Sequence, residues 1–215
     1  MASTINGRPL LVAHIQEPAE GFWVADVAAD ADDLTGAVTM SIEGVEFIGS
    51  VYRGGGDAGR WKGRIVGGSA ARSTATLAAK YYLGATVSTI VADILSATGD
   101  TLDGSSDSTV LSGVLARWHR SEGSAGKSWT AIASAAGACV RSLRSGALYF
   151  GALSYPDIED PSGIVEVDRV PQSGSRLYGL DAPNLAPAVT FRDRRVSYVS
   201  TMLTPGMLRQ RLWFD

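Results

Sequence analysis

Between residues 10 and 66 the apolar side chains come in five short runs, 10–15, 22–27, 37–42, 45–52 and 60–66, with turn-forming residues between them. Runs of this length and composition read as antiparallel β-structure. In the third, Val38, Met40 and Ile42 alternate with Ala37, Thr39 and Ser41, the period of a strand with one buried face. Glu43-Gly44 then makes a tight connection to the fourth run. Five strands at this spacing predict a small barrel or sandwich, which needs closure or a partner to protect its edges.

The period changes near residue 84. Val87, Ile90, Val91, Ile94 and Leu95 fall on one face of a helix that Thr86 can cap and Gly99 can close. A second helix starts at Ser124, buries Trp129, Ile132, Ala133 and Ala136, and stops at Gly137. A hairpin follows, its arms at 139–143 and 147–150 and its turn at Arg144-Ser145-Gly146, where glycine accommodates a positive φ. After Pro156 a linker at 157–163 leads back to β-type runs at 164–170, 175–180, 188–191, 195–203 and 207–214, the last two joined by Thr204-Pro205-Gly206. Alternation in that pair puts Val196, Tyr198, Ser200 and Met202 on one face, opposite Leu208, Gln210, Leu212 and Phe214. The expected organisation is therefore α+β and mainly β: a first β-domain at 1–83, a small helix-hairpin α/β module at 84–156, and a second β-domain at 157–215.

Several motifs imitate chemistry without completing it. Gly126-Lys127-Ser128 matches the end of a phosphate-binding loop, but Ser121 stands where the first glycine belongs, and the preceding 115–120 segment carries two arginines and a histidine where a buried parallel strand would be apolar. Gly54 to Gly59 satisfies G-x-G-x-x-G, yet a strand follows instead of the helix that would hold a pyrophosphate, so a flexible hairpin loop is expected. Arg64-Ile-Val-Gly-Gly68 resembles a protease activation junction in a chain with no Gly-Asp-Ser-Gly-Gly. The aspartates of 100–108 lack the order of a calcium loop. His119, flanked by Trp118 and Arg120, could serve as a base but has no nucleophile motif beside it. Asp26, Glu43, Glu46, Asp157 and Glu159 could meet as a carboxylate pair only through the fold.

His14 and His119 stand far apart, and Cys139 is single and in apolar surroundings, so neither a metal centre nor an intrachain disulfide is expected. A net charge of −3 does not support duplex binding. The N-terminus has no secretory pattern and no apolar run reaches membrane-spanning length, which leads to an expectation of synthesis and folding in a cytoplasm. No catalytic, cofactor-binding or metal-ligating residue is assigned.

The order of these pieces resembles the baseplate hub proteins of tailed bacteriophages, relatives of tail tube proteins. The resemblance runs through Gly59-Arg-Trp-Lys-Gly-Arg-Ile-Val-Gly-Gly68, Tyr82 to Leu95, Gly123-Ser-Ala-Gly126, Arg141 to Gly151, and the last hairpin from Arg195 to Asp215. It implies two tail-tube-like antiparallel β-barrel domains, a homotrimer presenting six barrels, and a place at the virion's tail tip joining a sixfold tube to a threefold tip. Implied neighbours are a tail tube or distal tail protein, a tape measure protein, and central spike or fibre proteins, with genome DNA passing through without specific binding. The acidic balance fits a channel wall that repels DNA. The alternative is a tail-associated cell-wall hydrolase.

Overall fold

A computed structural model describes residues 3–161, 163–170 and 174–215; Ser162, within the expected linker, lies outside them. Six strands come first: β1 (Thr4–Ile5), β2 (Arg8–Pro18), β3 (Val24–Asp30), β4 (Ala37–Ile42), β5 (Val45–Asp57) and β6 (Arg60–Gly67). They close into an antiparallel barrel in the order β1-β4-β5-β6-β3-β2, with β2 returning to pair with β1. Closure leaves no edge within the ring. The alternation read from the sequence sets which side faces in: Val38, Met40 and Ile42 pack with Ile15, Trp23, Phe47, Trp61 and Ile65 in one core. Two-residue turns hold the register. Glu43 and Gly44 both take positive φ, +48° and +89°, which matches the twist of the flanking strands.

The glycine run is strand, not flexible loop. β5 continues through Gly54, Gly55 and Gly56 to Asp57, because the Trp61 indole occupies the space beside Gly54: a Cβ there would lie 2.2 Å from the ring. Glycine is what lets the largest core side chain lie flat against its neighbouring strand.

The inserted module contains α1 (Ala71–Thr74), β7 (Thr76–Leu77), β8 (Lys80–Thr86), α2 (Val87–Thr98), α3 (Ser108–Ser112), β9 (Val114–Arg120), β10 (Gly123–Ser124), α4 (Ala125–Ala135), β11 (Cys139–Ser142) and β12 (Leu148–Gly151). Both expected helix starts are present. Thr86 Oγ1 accepts from the Thr89 amide at 3.3 Å and Ser124 Oγ from the Lys127 amide at 3.4 Å, each satisfying a first-turn donor. Gly99 at φ +68° and Gly137 at +63° follow the helix ends in left-handed conformation. Val87, Ile90, Val91 and Ile94 of α2 meet Trp129, Ile132 and Ala133 of α4 over Leu148 and Phe150 of the β11–β12 hairpin. The arginine-bearing 115–120 segment is β9, paired antiparallel to β8 in a separate two-stranded ribbon.

The last part holds β13 (Asp157–Ile158), β14 (Val165–Val170), β15 (Ser175–Gly179), β16 (Thr190–Phe191), β17 (Arg194–Thr204) and β18 (Met207–Phe214). Its first two residues are thus a short strand, which pairs parallel with β16, where a linker is expected. β17 pairs with β2, so the main sheet leaves the barrel and runs on as β2-β17-β18-β15-β14. This second β portion is an open sheet over its own core of Tyr178, Leu185, Phe191, Val196, Val199 and Leu212. The alternation expected along β17 fails after Val196. A bulge between Val196 and Tyr198 shifts the register, so Val199, Thr201 and Leu203 turn inward while Met202 is exposed. One inserted residue reverses every side chain beyond it.

Candidate functional site

Two features of the assembled fold rise above ordinary packing. The first is a broad sheet face. Strands β5, β6, β3, β2, β17, β18, β15 and β14 form one continuous run, and the side turned away from the cores carries Arg53, Lys62, Arg64, Asp26, His14, Ser200, Met202, Arg209 and Arg211 in adjoining register positions. Arg64 grips Asp26 with two hydrogen bonds of 2.8 and 2.6 Å. That bond holds the Asp26 carboxyl below its ordinary value, against a smaller opposing effect of burial. His14 Nε2 lies 2.9 Å from Ser200 Oγ, tying β2 of the barrel to β17 of the second portion. A shallow depression of about 580 Å³ lies between Val12, His14, Arg53, Lys62 and Arg64. The same side carries Asp30, Asp57 and Asp168, so its basic groups are interspersed with carboxylates.

The second feature is the junction of the three parts. The β11–β12 turn lies on the barrel wall: Trp23 Nε1 donates to Leu143 O at 3.0 Å, the Trp23 amide to Ser142 Oγ at 2.8 Å, and the Ile48 amide to Arg144 O at 2.7 Å. Gly146 takes φ +82° there, as expected of the turn. Arg144 donates twice to the buried Glu17 carboxylate, each at 2.7 Å, and also to Pro183 O and Leu185 O. Gln210 continues the network by donating to Leu185 O and Thr201 Oγ1 and accepting from the Leu185 amide. A second buried ion pair, Arg72 Nε to Asp100 Oδ2 at 3.0 Å, fixes the module's entry, and Arg72 also donates to Gly67 O. Burial pulls the Arg72 guanidinium below its ordinary value, and Asp100 pulls the other way. Sequence placed Arg144 and Gly146 in a hairpin turn and Gln210 on a strand without giving any of them a partner at the junction; an arginine in a hairpin turn carries no signal of its carboxylate partner 127 positions away.

His119 and the five weighed acids have the following places. His119 is exposed on β9 with its ring against Tyr81, and Asp26 is held by Arg64 on the barrel. Glu43 accepts a hydrogen bond from Ser3 at a hairpin turn, and Glu46, Asp157 and Glu159 are exposed. Among the described residues no cluster of three or more His, Cys, Asp or Glu could hold a metal ion. Lys127 sits in the first turn of α4, beside a helix cap that Ser124 already makes. Replacing Lys127 with alanine should leave the unfolding free energy from a urea titration within about 0.5 kcal/mol of wild type, and assembly unchanged.

No protein-family model matches the chain, and no curated protein sequence does. Solved structures do. The 43 kDa tail protein of prophage MuSo2 from Shewanella oneidensis matches with a TM-score of 0.63 at 10% identity, covering 100% of this chain and 97% of that one. The tail protein from Neisseria meningitidis MC58 gives 0.66 at 12% identity, over 99% and 95%. The Escherichia coli c3393 protein, a type VI secretion component described as similar to the T4 tail proteins gp27 and gp5, gives 0.64 at 10% identity, over 100% and 76%. The chain has the fold of these phage-tail-like proteins.

Proposed function

We propose that this chain is a structural subunit of a bacteriophage tail, the hub at the baseplate or tail tip, and that it trimerises to join the sixfold tube to the threefold tip. The observation that carries this reading is the continuous sheet. One strand, β2, serves both the closed barrel and the open portion, which makes the two a single rigid wall with one packed face and one exposed face. Three such walls arranged around an axis enclose a channel, and closed cyclic symmetry is the ordinary way a chain of this kind completes unclosed sheets.

The exposed face is the side we assign to that channel, through which the genome is ejected. Its side chains include Arg53, Arg60, Lys62, Arg64, Arg209 and Arg211 interspersed with Asp26, Asp30, Asp57 and Asp168, so on this assignment the wall is mixed in charge rather than uniformly acidic. Dispersed cations of this kind meet phosphates without reading bases. Tail tube or distal tail, tape measure, and spike or fibre proteins are the proposed neighbours. Nothing in the geometry favours the hydrolase alternative, since Asp26 is engaged by Arg64 and His119 packs on the Tyr81 ring.

The test is stoichiometry. Native mass measurement should give a trimer in solution, and quantitation of purified particles should give three copies at the tail tip. A monomer at every concentration together with absence from particles would reject the proposal.

A further inference from the structure

The charges on the exposed sheet face are not evenly mixed. Strand pairing sorts them into rows that run across the strands. One row aligns Arg53, Arg64, Asp26, His14, Met202 and Arg209, on β5, β6, β3, β2, β17 and β18 in turn. The row beside it holds Lys62, Ala28 and Val12. Asp30 and Asp57 stand one row further out, each in register with Arg60. Asp168 lies at the far side of the sheet, with Arg211 4.0 Å away.

The carboxylate within the first two rows, Asp26, is already held by Nε and Nη2 of Arg64. Among the described residues, Arg53, Lys62 and Arg209 make no side-chain hydrogen bond or ion pair. Arg53, Lys62 and Arg64 flank the depression of about 580 Å³, which opens where Ala28, Gly54 and Gly63 put no long side chain on the sheet. Val12 and Ala28 give it an apolar wall. A hollow with low-dielectric walls and charge mostly of one sign concentrates the field on a counter-ion. Three cations around one carboxylate that is already engaged make this hollow a seat for an anion.

We infer that the hollow seats a phosphate of a nucleic-acid backbone, with Arg53, Lys62 and Nη1 of Arg64 as donors, and that Arg209 takes a second phosphate of the same backbone. Arg209 stands in the same row as Arg64, four strand spacings away along β6-β3-β2-β17-β18, or about 19 Å. At a rise of about 3.4 Å per nucleotide that span covers five to six nucleotides of one strand. A free phosphate ion fills the hollow alone; an extended polyanion reaches both points. Contacts of this kind position a backbone without reading its bases. The inference rests on the assignment of this face to the channel, which supplies the nucleic acid.

Fluorescence anisotropy tests it on the full-length chain, with a labelled duplex of arbitrary sequence at low salt. Arg53→Ala, Lys62→Ala and Arg209→Ala should each weaken binding alike for unrelated sequences and lower the slope of log affinity against log salt by about 1. The Arg53→Ala, Lys62→Ala double variant should lose roughly tenfold or more in affinity. Arg117→Ala, an exposed cation on β9, should change nothing. Absence of duplex binding, an unchanged slope in the double variant, or an equal loss in Arg117→Ala overturns the site. Duplex binding that ignores Arg209→Ala while inorganic phosphate displaces the duplex gives the hollow to a free phosphate and overturns the backbone reading. Polyglutamate that competes as well as unlabelled duplex overturns it in favour of an acidic protein segment. The hub is judged apart by native mass: a trimer that binds no duplex overturns this site alone, and a monomer that binds duplex overturns the trimer alone.

Discussion

Arg144→Ala should destabilise the chain by about 3–5 kcal/mol, measured by urea unfolding at neutral pH. The reason is the state of the group left behind. Glu17 has a side chain only 4% exposed, and its carboxylate faces Arg144 through two 2.7 Å hydrogen bonds. Removing the guanidinium strands a buried charge, a larger loss than the net worth of the pair. The same substitution also deprives the Pro183 and Leu185 carbonyls of a donor and removes the cation that lies 4.8 Å from the centre of the Phe47 ring. Because Glu17 belongs to the barrel, Arg144 to the inserted hairpin and Leu185 to the last part, the loss should appear in all three at once. A Glu17→Gln, Arg144→Met double variant should recover much of the stability, since neither residue then carries a buried charge. Equal loss in the single and double variants would show that packing, not charge burial, governs this joint.

Trp129→Ala should cost about 3–5 kcal/mol as well, from lost burial and the cavity left by a fully buried indole. Its location makes the response different. Trp129 contacts Phe150, with ring centroids 6.3 Å apart, and belongs to the core formed by α2, α4 and the β11–β12 hairpin, separate from the barrel core around Trp23 and Trp61. Amide exchange should therefore speed up most in α2 and α4, while β2 and β3 keep the greater part of their protection. Uniform loss of protection across β2, β3, α2 and α4 would mean that the module and the barrel open as one unit.

Much of the secondary structure was legible because its causes are local. Thr86 and Ser124 cap helices through their own side chains, Gly99 and Gly137 follow the ends by adopting left-handed φ, and Val38, Met40 and Ile42 face inward because a strand's period is two. The errors arose where a distant residue decided. Gly54 lies in strand with the Trp61 ring filling the space beside it and Gly56 lies against the backbone of Asp32, and β17 turns over because of a bulge between Val196 and Tyr198 that alternation cannot reveal. Asp157 and Ile158 become strand through Thr190 and Phe191.

By itself, then, the sequence determined the mainly β class, the two capped helices and their apolar faces, and the hairpin that follows them, since each depends on neighbours within a few positions. The tertiary structure decided the rest: that β2 is shared by the barrel and the open sheet, that Arg144 meets Glu17, and that the cations of β5, β6 and β18 come onto one face. Those outcomes depend on strand pairings across up to about 190 positions, such as Met202 with His14. Closing so long a loop is settled by the free energy of the whole sheet rather than by any local preference.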